Sequence, residues 1–401
     1  MRVILGVTGC IGAYKATEIV RRLRDWGAEV VVVPTHNALK FVGTATWEAL
    51  SGHPVCTQVF DDVPNVAHIR LAQEADLVLV APATADFLAR MACGRADDLL
   101  SSIILATQAP VIVCPAMHTA MWLNPATKAN VDTLRSRNVM VKDPDSGRLT
   151  GKDSGPGRFP DPHEIVKIAI GGLTIEEFCS TCARQDLSGL KICVTAGGTR
   201  EHIDPVRFIG NESSGRMGVE IARVAQLRGA DVTLVASNLT VMPPSGVNVI
   251  QACSTGDLHA VMNDIAPSQD AIVMAGAPAD FAAANPENNK IKKSGQSGLT
   301  LELRQTPDVL AGLCANRNGG QVIVGFAAET AANQEELLRL GRQKLSRKDA
   351  DLLVLNDVSG GQVFAAEDNN VLIINSTGVL AEASGTKLSV AWTIIDAIKK
   401  F

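Results

Sequence analysis

The side chains in this sequence that are best suited to chemistry include two histidines. His68 stands in the segment VAHIRL, and His118 stands in PAMHTAMW at residues 115–122. An imidazole titrates near neutral pH and can therefore move a proton during a reaction. A single histidine is more often a core or helix-start residue, so each of these two needs the rest of a site around it.

The second half of the chain concentrates amide and basic side chains. Arg207 and Asn211 lie in a long polar segment, TAGGTREHIDPVRFIGNESSGRMG, and Lys290 begins the run KIKK. Lys344 and Lys348 are four residues apart, which places them on one face of a helix. An exposed basic run is usually only solvated. Cations that meet at one sheet edge would instead suit a triphosphate whose transition state accumulates negative charge.

The elements that must position these residues form two similar units. Residues 1–35 and 190–237 each have a β-rich run, a glycine-containing turn, an amphipathic helix, a Gly-Ala pair and a second β-type run. This order is that of a βαβ unit. Continuous apolar strands such as residues 30–33 and 77–80 indicate parallel sheets buried on both faces. We therefore predict an α/β protein with two doubly wound, Rossmann-like domains, joined within residues 171–188.

The glycine turns favour a single phosphate over a dinucleotide. Gly6, Gly9 and Gly12 have the spacing GxxGxxG, and Pro34-Thr35 follows the second strand where a dinucleotide site needs an acid for the ribose. A nicotinamide-dependent reductase is therefore disfavoured. A helix N-terminus that holds one phosphate stays open, as do turns with no ligand. The motif GxxxxGK[ST] is absent from the sequence, which excludes a P-loop.

Composition limits the classes of partner. The chain of 401 residues is 46% hydrophobic and 20% charged, with a net charge of -5 and 4% aromatic residues. These values fit a globular protein with an ample core and disfavour nucleic acid and anionic membranes as partners. We expect no membrane segment, and nine scattered cysteines indicate a reduced, cytoplasmic chain. The CxxC at Cys179 and Cys182 has no second pair at zinc spacing.

Several motifs in order carry a resemblance to a known family. GVTGCIGAYK, APATADFLAR, ADDLLSS and PAMHTAMW resemble the flavin-dependent cysteine decarboxylases, and the second half resembles their usual fusion partner. The chain is thus similar, almost end to end, to the bifunctional phosphopantothenoylcysteine decarboxylases and phosphopantothenate–cysteine ligases of coenzyme A biosynthesis. The resemblance implies a decarboxylase domain at residues 1–187 and a ligase domain at residues 188–401.

For the first half, the resemblance implies an FMN-dependent decarboxylation. Family members pass a hydride from the substrate thiol carbon to FMN, lose carbon dioxide from the thioaldehyde and return the hydride to the enethiol. His68 matches the active-site histidine of the family, and the expected FMN contacts are Gly9, Thr35, Thr84 and Ser101. The resemblance also implies a homo-oligomer in which the decarboxylase halves form trimers and the ligase halves form dimers. A dodecamer is one assembly that contains both.

Two positions depart from the family pattern. His118 replaces an asparagine that helps to bind the substrate carboxylate, and imidazole can also donate to a carboxylate. Gly151 replaces a cysteine that gives a proton in the final reduction, which leaves Lys152, Asp153 or water as donors. The alternative is therefore an active ligase fused to a flavin-binding half in which decarboxylation is impaired.

For the second half, the resemblance implies that CTP and Mg²⁺ activate 4′-phosphopantothenate as an acyl-cytidylate, which the amine of cysteine then attacks. Arg207 and Asn211 match positions that bind and activate the carboxylate, and Lys290 matches a catalytic lysine. The metal ligands are unknown. The remaining expected CTP contacts are Asp280, Lys290, Pro307, Asp308, Val309, Phe326, Lys344 and Lys348.

Overall fold

The computed structural model describes residues 1–59, 66–149, 151, 153–170, 175–292, 298–357 and 368–401. The chain divides into two compact units, Met1–Asp186 and Leu187–Phe401. No helix in these described ranges is both long and apolar enough to cross a membrane.

The first unit is built on a parallel five-stranded sheet with the order β2-β1-β3-β4-β5. β3 and β4 are buried along their whole length, and β1 and β2 are buried at all but their first residue, because helices cover both faces. A separate antiparallel pair joins β6 to β7. The strands are β1 (Arg2–Val7), β2 (Glu29–Pro34), β3 (Leu77–Ala83), β4 (Val111–Pro115), β5 (Met140–Val141), β6 (Asp145–Arg148) and β7 (Ser154–Arg158).

Polar side chains begin several helices of this unit. Thr84 caps the helix after β3, and Asp98 forms a capping box with Ser101. Part of the segment predicted to join the domains is a helix, α9, that packs on β5 in the first unit. The helices are α1 (Ala16–Asp25), α2 (Thr44–Ser51), α3 (Ala67–Glu74), α4 (Ala85–Cys93), α5 (Leu99–Ala106), α6 (Thr119–Trp122), α7 (Pro125–Ser136), α8 (Pro162–Ala169) and α9 (Ile175–Arg184), with 3₁₀ turns at Ile11–Lys15 and Ala38–Lys40.

The second unit has an eight-stranded sheet with the order β12-β11-β8-β13-β16-β17-β18-β19. The first six strands are parallel, and the chain order reverses between β8 and β13. The strands are β8 (Lys191–Gly197), β11 (Asp231–Ser237), β12 (Asn248–Gln251), β13 (Ala271–Met274), β16 (Val322–Glu329), β17 (Leu352–Asp357), β18 (Asp368–Asn375) and β19 (Gly378–Thr386), with ribbons β9 (Glu201–His202) and β10 (Phe208–Ile209), and β14 (Phe281–Ala283) and β15 (Leu303–Gln305).

The doubly wound α/β prediction is confirmed, but two antiparallel strands extend the second sheet. β18 and β19 are joined by a tight turn after Asn375, whose Oδ1 accepts hydrogen bonds from Thr377 and Gly378. A short turn can connect only antiparallel strands, whereas a parallel pair needs a crossover. The helices are α10 (Arg216–Leu227), α11 (Thr255–Ile265), α12 (Val309–Ala315), α13 (Gln334–Lys348) and α14 (Lys387–Lys399), with a 3₁₀ turn at Ala266–Ser268.

In this sheet, the helix α10 lies very close to the strand β8. A Cβ on Gly218 would lie 2.6 Å from Ala196 Cβ and 2.7 Å from Thr195 O, so only glycine lets the helix lie this near the strand. The helical glycine Gly312, on α12, has no heavy atom within 4 Å of the same position. A substitution at Gly218 therefore tests packing against the strand, whereas the same substitution at Gly312 tests helix propensity alone.

We predict that Gly218→Ala lowers stability by about 1–3 kcal/mol, because the added methyl group overpacks the helix against the strand. Gly312→Ala is the matched control and should raise stability by up to about 1 kcal/mol, since alanine is the better helix former. Calorimetric unfolding of the full chain measures both changes. Equal effects of the two substitutions would contradict the packing argument.

Candidate active sites

Hydroxyl groups join the loops that leave the first sheet at its carboxyl edge. Thr8 Oγ1 donates to Pro82 O at 2.9 Å and accepts from Thr84 N–H at 2.9 Å. Thr35 N–H donates to Val7 O at 2.9 Å. A Cβ on Gly9 would lie 2.5 Å from Asn37 Cβ. The structure therefore brings three predicted FMN contacts, at positions 9, 35 and 84, to one sheet edge.

Ser101, the fourth predicted FMN contact, takes part in capping the helix α5. Its N–H and hydroxyl bond Asp98 in the capping box at the start of α5, and the residue is 3% exposed. It lines a cavity of about 410 Å³ that Met91, Arg95 and Cys179 also line. Among the described residues, none lines both that cavity and the pocket around His118.

His68 lies in the first turn of α3, near the carboxyl edge of the sheet. Glu74, at the other end of α3, pairs with Arg2 at 2.5 Å, and Arg2 begins β1. The six residue steps from Glu74 to His68 span about 9 Å of helix, directed towards the carboxyl edge. His68 Nδ1 is buried and has no hydrogen-bond partner among the described residues. A buried, unpaired ring nitrogen is unusual, and a ligand at this edge would supply its partner.

A pocket of about 550 Å³ lies beside the loop after β1 and the hairpin β6–β7. His118, Gly151 and Asp153 line it, and so do two arginines, Arg148 and Arg158. The remaining lining residues are Cys10, Ile11, Gly12, Tyr14, Lys15, Ala116, Met117, Leu149, Gly157 and Phe159. Lys152, which the sequence offered as a proton donor, lies outside the described residues.

Two hydrogen bonds fix the imidazole of His118. Its Nδ1 accepts from Ala120 N–H at 3.1 Å, as the cap of α6, and its Nε2 lies 2.8 Å from Asp153 Oδ2. A ring that accepts at Nδ1 carries a proton on Nε2, which then donates to Asp153 Oδ2. The sequence had placed Asp153 among three alternative donors, but its contact with His118 depends on the hairpin and was missed.

In the second unit, the long polar segment turns back over the point where the strand order reverses. Asn211 Nδ2 donates to Pro278 O at 2.9 Å, and Gly198 forms a bridge with Ala277. Gly215, with φ of 77°, begins α10 in the left-handed region that favours glycine. Ligands of open α/β sheets bind in the crevice outside such a reversal. The structure thus brings Asn211 beside the segment that carries Asp280.

Arg207 is held by a buried carboxylate, Asp204, that the sequence reasoning did not select. Asp204 pairs with the Arg207 guanidinium and accepts from the N–H groups of Val206, Arg207 and Ile291 at 2.8, 2.7 and 3.1 Å. Burial alone would raise the pKa of Asp204, but these donors and the guanidinium lower it to about 2. Asp204 therefore ties Arg207 to the segment that contains Lys290. An aspartate before a proline, as in HIDP, marks such a turn.

The predicted lysines have different surroundings. Lys290 is exposed, and the carbonyl of the next residue, Ile291, accepts from Arg207 Nη1 at 3.3 Å. Lys293, the last lysine of the KIKK run, lies outside the described residues. Lys344 Nζ lies 3.3 Å from Glu329 Oε1, and Lys348 Nζ bonds Asp308 Oδ2. Lys344 and Lys348 are therefore ion-paired in this structure, and their role as CTP contacts stays a prediction.

Asp308 and its neighbours lie beside the same edge. Asp308 caps α12 by accepting from Ala311 N–H at 3.1 Å. Burial alone would raise the pKa of Asp308, but the Lys348 ammonium and the Ala311 N–H lower it. Thr306 N–H donates to Asp280 O at 3.0 Å, which draws the segment of Pro307 towards Asp280. Val309 is buried at the start of α12, and Phe326 is half-buried within β16.

The described part of the chain contains no group of three His, Cys, Asp or Glu side chains placed to hold a metal ion. Cys179 and Cys182 are both buried, and burial raises the pKa of the Cys179 thiol to about 12. A thiol that stays protonated is a poor metal ligand. The pair therefore has the surroundings of core side chains.

Two family profiles match the chain. The flavoprotein profile matches residues 1–174, and the profile of the DNA/pantothenate metabolism flavoprotein C-terminal domain matches residues 187–401. A protein named "Coenzyme A biosynthesis bifunctional protein CoaBC" from Mycobacterium tuberculosis is 50% identical over 407 residues, covering 100% of this chain and 96% of the relative. The protein of the same name from Escherichia coli is 43% identical over 375 residues, covering 92% and 89%.

Solved structures resemble each half separately. The crystal structure of the C-terminal domain of a coenzyme A biosynthesis bifunctional protein CoaBC has 32% identity and a TM-score of 0.44, covering 54% of this chain and 97% of its own. The FMN-binding protein AtHal3 has 30% identity and a TM-score of 0.38, covering 42% and 94%.

We predict that Asp204→Asn lowers the stability of the chain at pH 7 and weakens its acid dependence. The folded pKa of about 2 lies below the usual value of 3.8, so the stabilisation is present above that value and is lost as the pH falls towards 2. Thermal unfolding between pH 7 and pH 2 measures both effects. Asp264→Asn, at an exposed position on α11, is the control. An Asp204→Asn variant with the wild-type acid profile would contradict the assignment.

Proposed function

The chain belongs to the family of bifunctional coenzyme A biosynthesis proteins, with a flavoprotein decarboxylase domain and a ligase domain, and on that premise we propose its two reactions. The second unit ligates cysteine to 4′-phosphopantothenate with CTP, through an acyl-cytidylate. The first unit decarboxylates the resulting 4′-phosphopantothenoylcysteine to 4′-phosphopantetheine with FMN. Both reactions use small molecules that carry phosphate.

The contact between Asn211 and Pro278 is the observation that carries the ligase proposal. It joins the polar segment to the segment of Asp280, where the nucleotide would lie. Arg207, held by Asp204, would bind the pantothenate carboxylate, and Asn211 would stabilise the acyl-cytidylate. A guanidinium whose fork is fixed by a buried carboxylate loses little entropy when it binds a second anion.

Three lysines would then neutralise the triphosphate. Lys290 is exposed beside the segment that Arg207 and Asp204 tie down. Lys344 and Lys348 would exchange Glu329 and Asp308 for phosphate oxygens. The exchange costs little because a partly exposed ion pair contributes about 0–1 kcal/mol. Pro307, Val309 and Phe326 would contact the cytidine, and Mg²⁺ would enter bound to the triphosphate.

The first unit has the features that FMN needs at its sheet edge. Gly9, Thr35 and Thr84 meet where the loops leave β1, β2 and β3, and His68 Nδ1 is buried and unpaired there among the described residues. When bound, FMN accepts a hydride from the substrate and later returns it. His68 would take the proton of the substrate thiol. His118 and Arg158 would bind the substrate carboxylate from the pocket they share.

Apolar side chains beside this edge support subunit contacts. Ile11, Tyr14 and Phe41 are 56%, 56% and 48% exposed and flank the loops that carry Gly9 and Thr35. Such exposed groups next to a ligand site suit a partner copy. We propose a homo-oligomer built from trimers of the first unit and dimers of the second, and light scattering would give its mass.

Incubation of the chain with 4′-phosphopantothenate, cysteine, CTP and Mg²⁺ tests the proposed function. Mass spectrometry should show 4′-phosphopantothenoylcysteine first and 4′-phosphopantetheine next. The second candidate, an active ligase with an impaired decarboxylase half, is favoured by Gly151, which has no proton to give. Purified chain that contains FMN but stops at 4′-phosphopantothenoylcysteine would support that candidate.

We predict that Lys290→Gln lowers ligation by about 10²-fold or more, because one donor to the developing charge is lost. Lys292→Gln changes a neighbouring exposed lysine and is the matched control. Release of CMP and formation of 4′-phosphopantothenoylcysteine measure both. Ligation at the wild-type rate by Lys290→Gln would contradict this role and show that the KIKK run is only a solvated surface segment.

His68→Asn should abolish decarboxylation and leave ligation unchanged, because it keeps a polar group and removes the titratable ring. FMN should stay bound, since Gly9, Thr35 and Thr84 are untouched. The variant should accumulate 4′-phosphopantothenoylcysteine when supplied with the ligase substrates. Normal output of 4′-phosphopantetheine would show that His68 is structural.

A further inference from the structure

In the pair formed by His118 and Asp153, the Oδ1 atom of Asp153 lies where a side chain at position 151 would begin. Asp153 Oδ2 accepts from His118 Nε2–H, so Oδ1 is left without that partner. A Cβ built on Gly151 would lie 2.7 Å from Oδ1. The carboxylate therefore fills the space into which a side chain at position 151 would project.

Two backbone hydrogen bonds fix the hairpin β6–β7, in which Asp153 lies just before β7. Leu149 N–H donates to Asp153 O at 3.0 Å, and Met117 N–H donates to Gly157 O at 2.9 Å. A Cβ on Gly157 would lie 2.2 Å from Met117 O. The hairpin can therefore lie this close to the segment before His118 only because residue 157 is glycine. The side chains of His118 and Asp153 are 55% and 45% exposed. A pair this exposed contributes only about 0–1 kcal/mol to stability, so stability alone does not account for it.

Among the described residues, apart from the chain neighbours of Gly151, only Asp153 has heavy atoms within 4 Å of a Cβ built on Gly151, and its carboxyl group can exchange a proton. The two arginines do not release protons. Cys10 Sγ accepts from Gly12 N–H at 3.2 Å as a helix cap, and burial raises the pKa of its thiol.

We propose that Asp153, oriented by His118, delivers the proton that completes the final reduction. This assignment rests on the proposed decarboxylation. Loss of carbon dioxide leaves R–CH=CH–S⁻ and frees His118 Nε2–H, which had bound the substrate carboxylate, to hold Asp153 as seen in the structure. The carbon that lost the carboxylate then lies beside His118 and takes the proton from Oδ1.

The step balances in atoms and electrons. The C=C π bond breaks, one carbon gains the hydride returned from reduced FMN, and the other gains the proton from the Asp153 O–H. The substrate is reduced by two electrons, the flavin is oxidised by two, and Asp153 is left as a carboxylate. Asp153 takes its next proton from solvent, to which it is half exposed, and this is the proton that decarboxylation consumes overall. His68 returns its proton to the product thiolate.

Asp153→Asn separates this assignment from a merely structural one. In a single anaerobic turnover with 4′-phosphopantothenoylcysteine, the variant should release carbon dioxide but form 4′-phosphopantetheine about 10²-fold more slowly or less, because a general acid is lost. The enethiol, with two hydrogens fewer by mass, should accumulate while the flavin stays reduced in its absorbance. Asp143→Asn, an exposed carboxylate paired with Arg135 at 2.9 Å, should behave as wild type.

A second variant adds a rescue. Asp153→Ala combined with Gly151→Cys removes the carboxylate and places a thiol in the vacated space, so it should regain 4′-phosphopantetheine formation that Asp153→Ala alone has lost. Wild-type reduction by Asp153→Asn would overturn the assignment, and so would loss of carbon dioxide release by that variant. A wild-type chain that releases no carbon dioxide would instead contradict the proposed decarboxylation and remove the premise.

Discussion

Parallel strands all end at the same edge of their sheet, and the backbone that leaves those ends must satisfy its polar groups while passing close to a helix. In the first unit, Thr8 meets this constraint by bonding both Pro82 and Thr84. In the second, Gly218 lets α10 lie against β8, and Asn211 bonds Pro278 across the strand reversal. The candidate site residues of both units depend on these loop contacts for their positions.

Basic side chains in the two sites are held by aspartate carboxyl groups before any substrate is bound. Asp204 is buried and holds Arg207, whereas Asp308 and Asp153 are partly exposed and hold Lys348 and His118. The buried pairing is costly to break because a charge would be left unpaired. The exposed pairings exchange easily, since each contributes about 0–1 kcal/mol. Asp204 thus holds its arginine rigidly, whereas Asp308 and Asp153 can readily give up their partners to a substrate.

Much of the architecture could be predicted because its causes are local. The repeated βαβ pattern and the buried apolar strands gave the parallel sheets, and the motifs around His118 and Asn211 placed both at strand ends. The antiparallel strands β18 and β19 were not predicted, since they depend on one tight turn after Asn375. The partners of Lys344 and Lys348 were also missed. Glu329 and Asp308 lie 15 and 40 residues away along the chain, and no short motif records such a pairing.

Hydrogen exchange of the full chain, with and without CTP and Mg²⁺, tests the placement of nucleotide chemistry most directly. The account predicts slower exchange in residues 197–218 and 275–280, which meet at the strand reversal of the second sheet. Exchange in residues 1–59 should not change, because the flavin edge would not contact CTP. Protection confined to the first unit, or none at the reversal, would contradict the account.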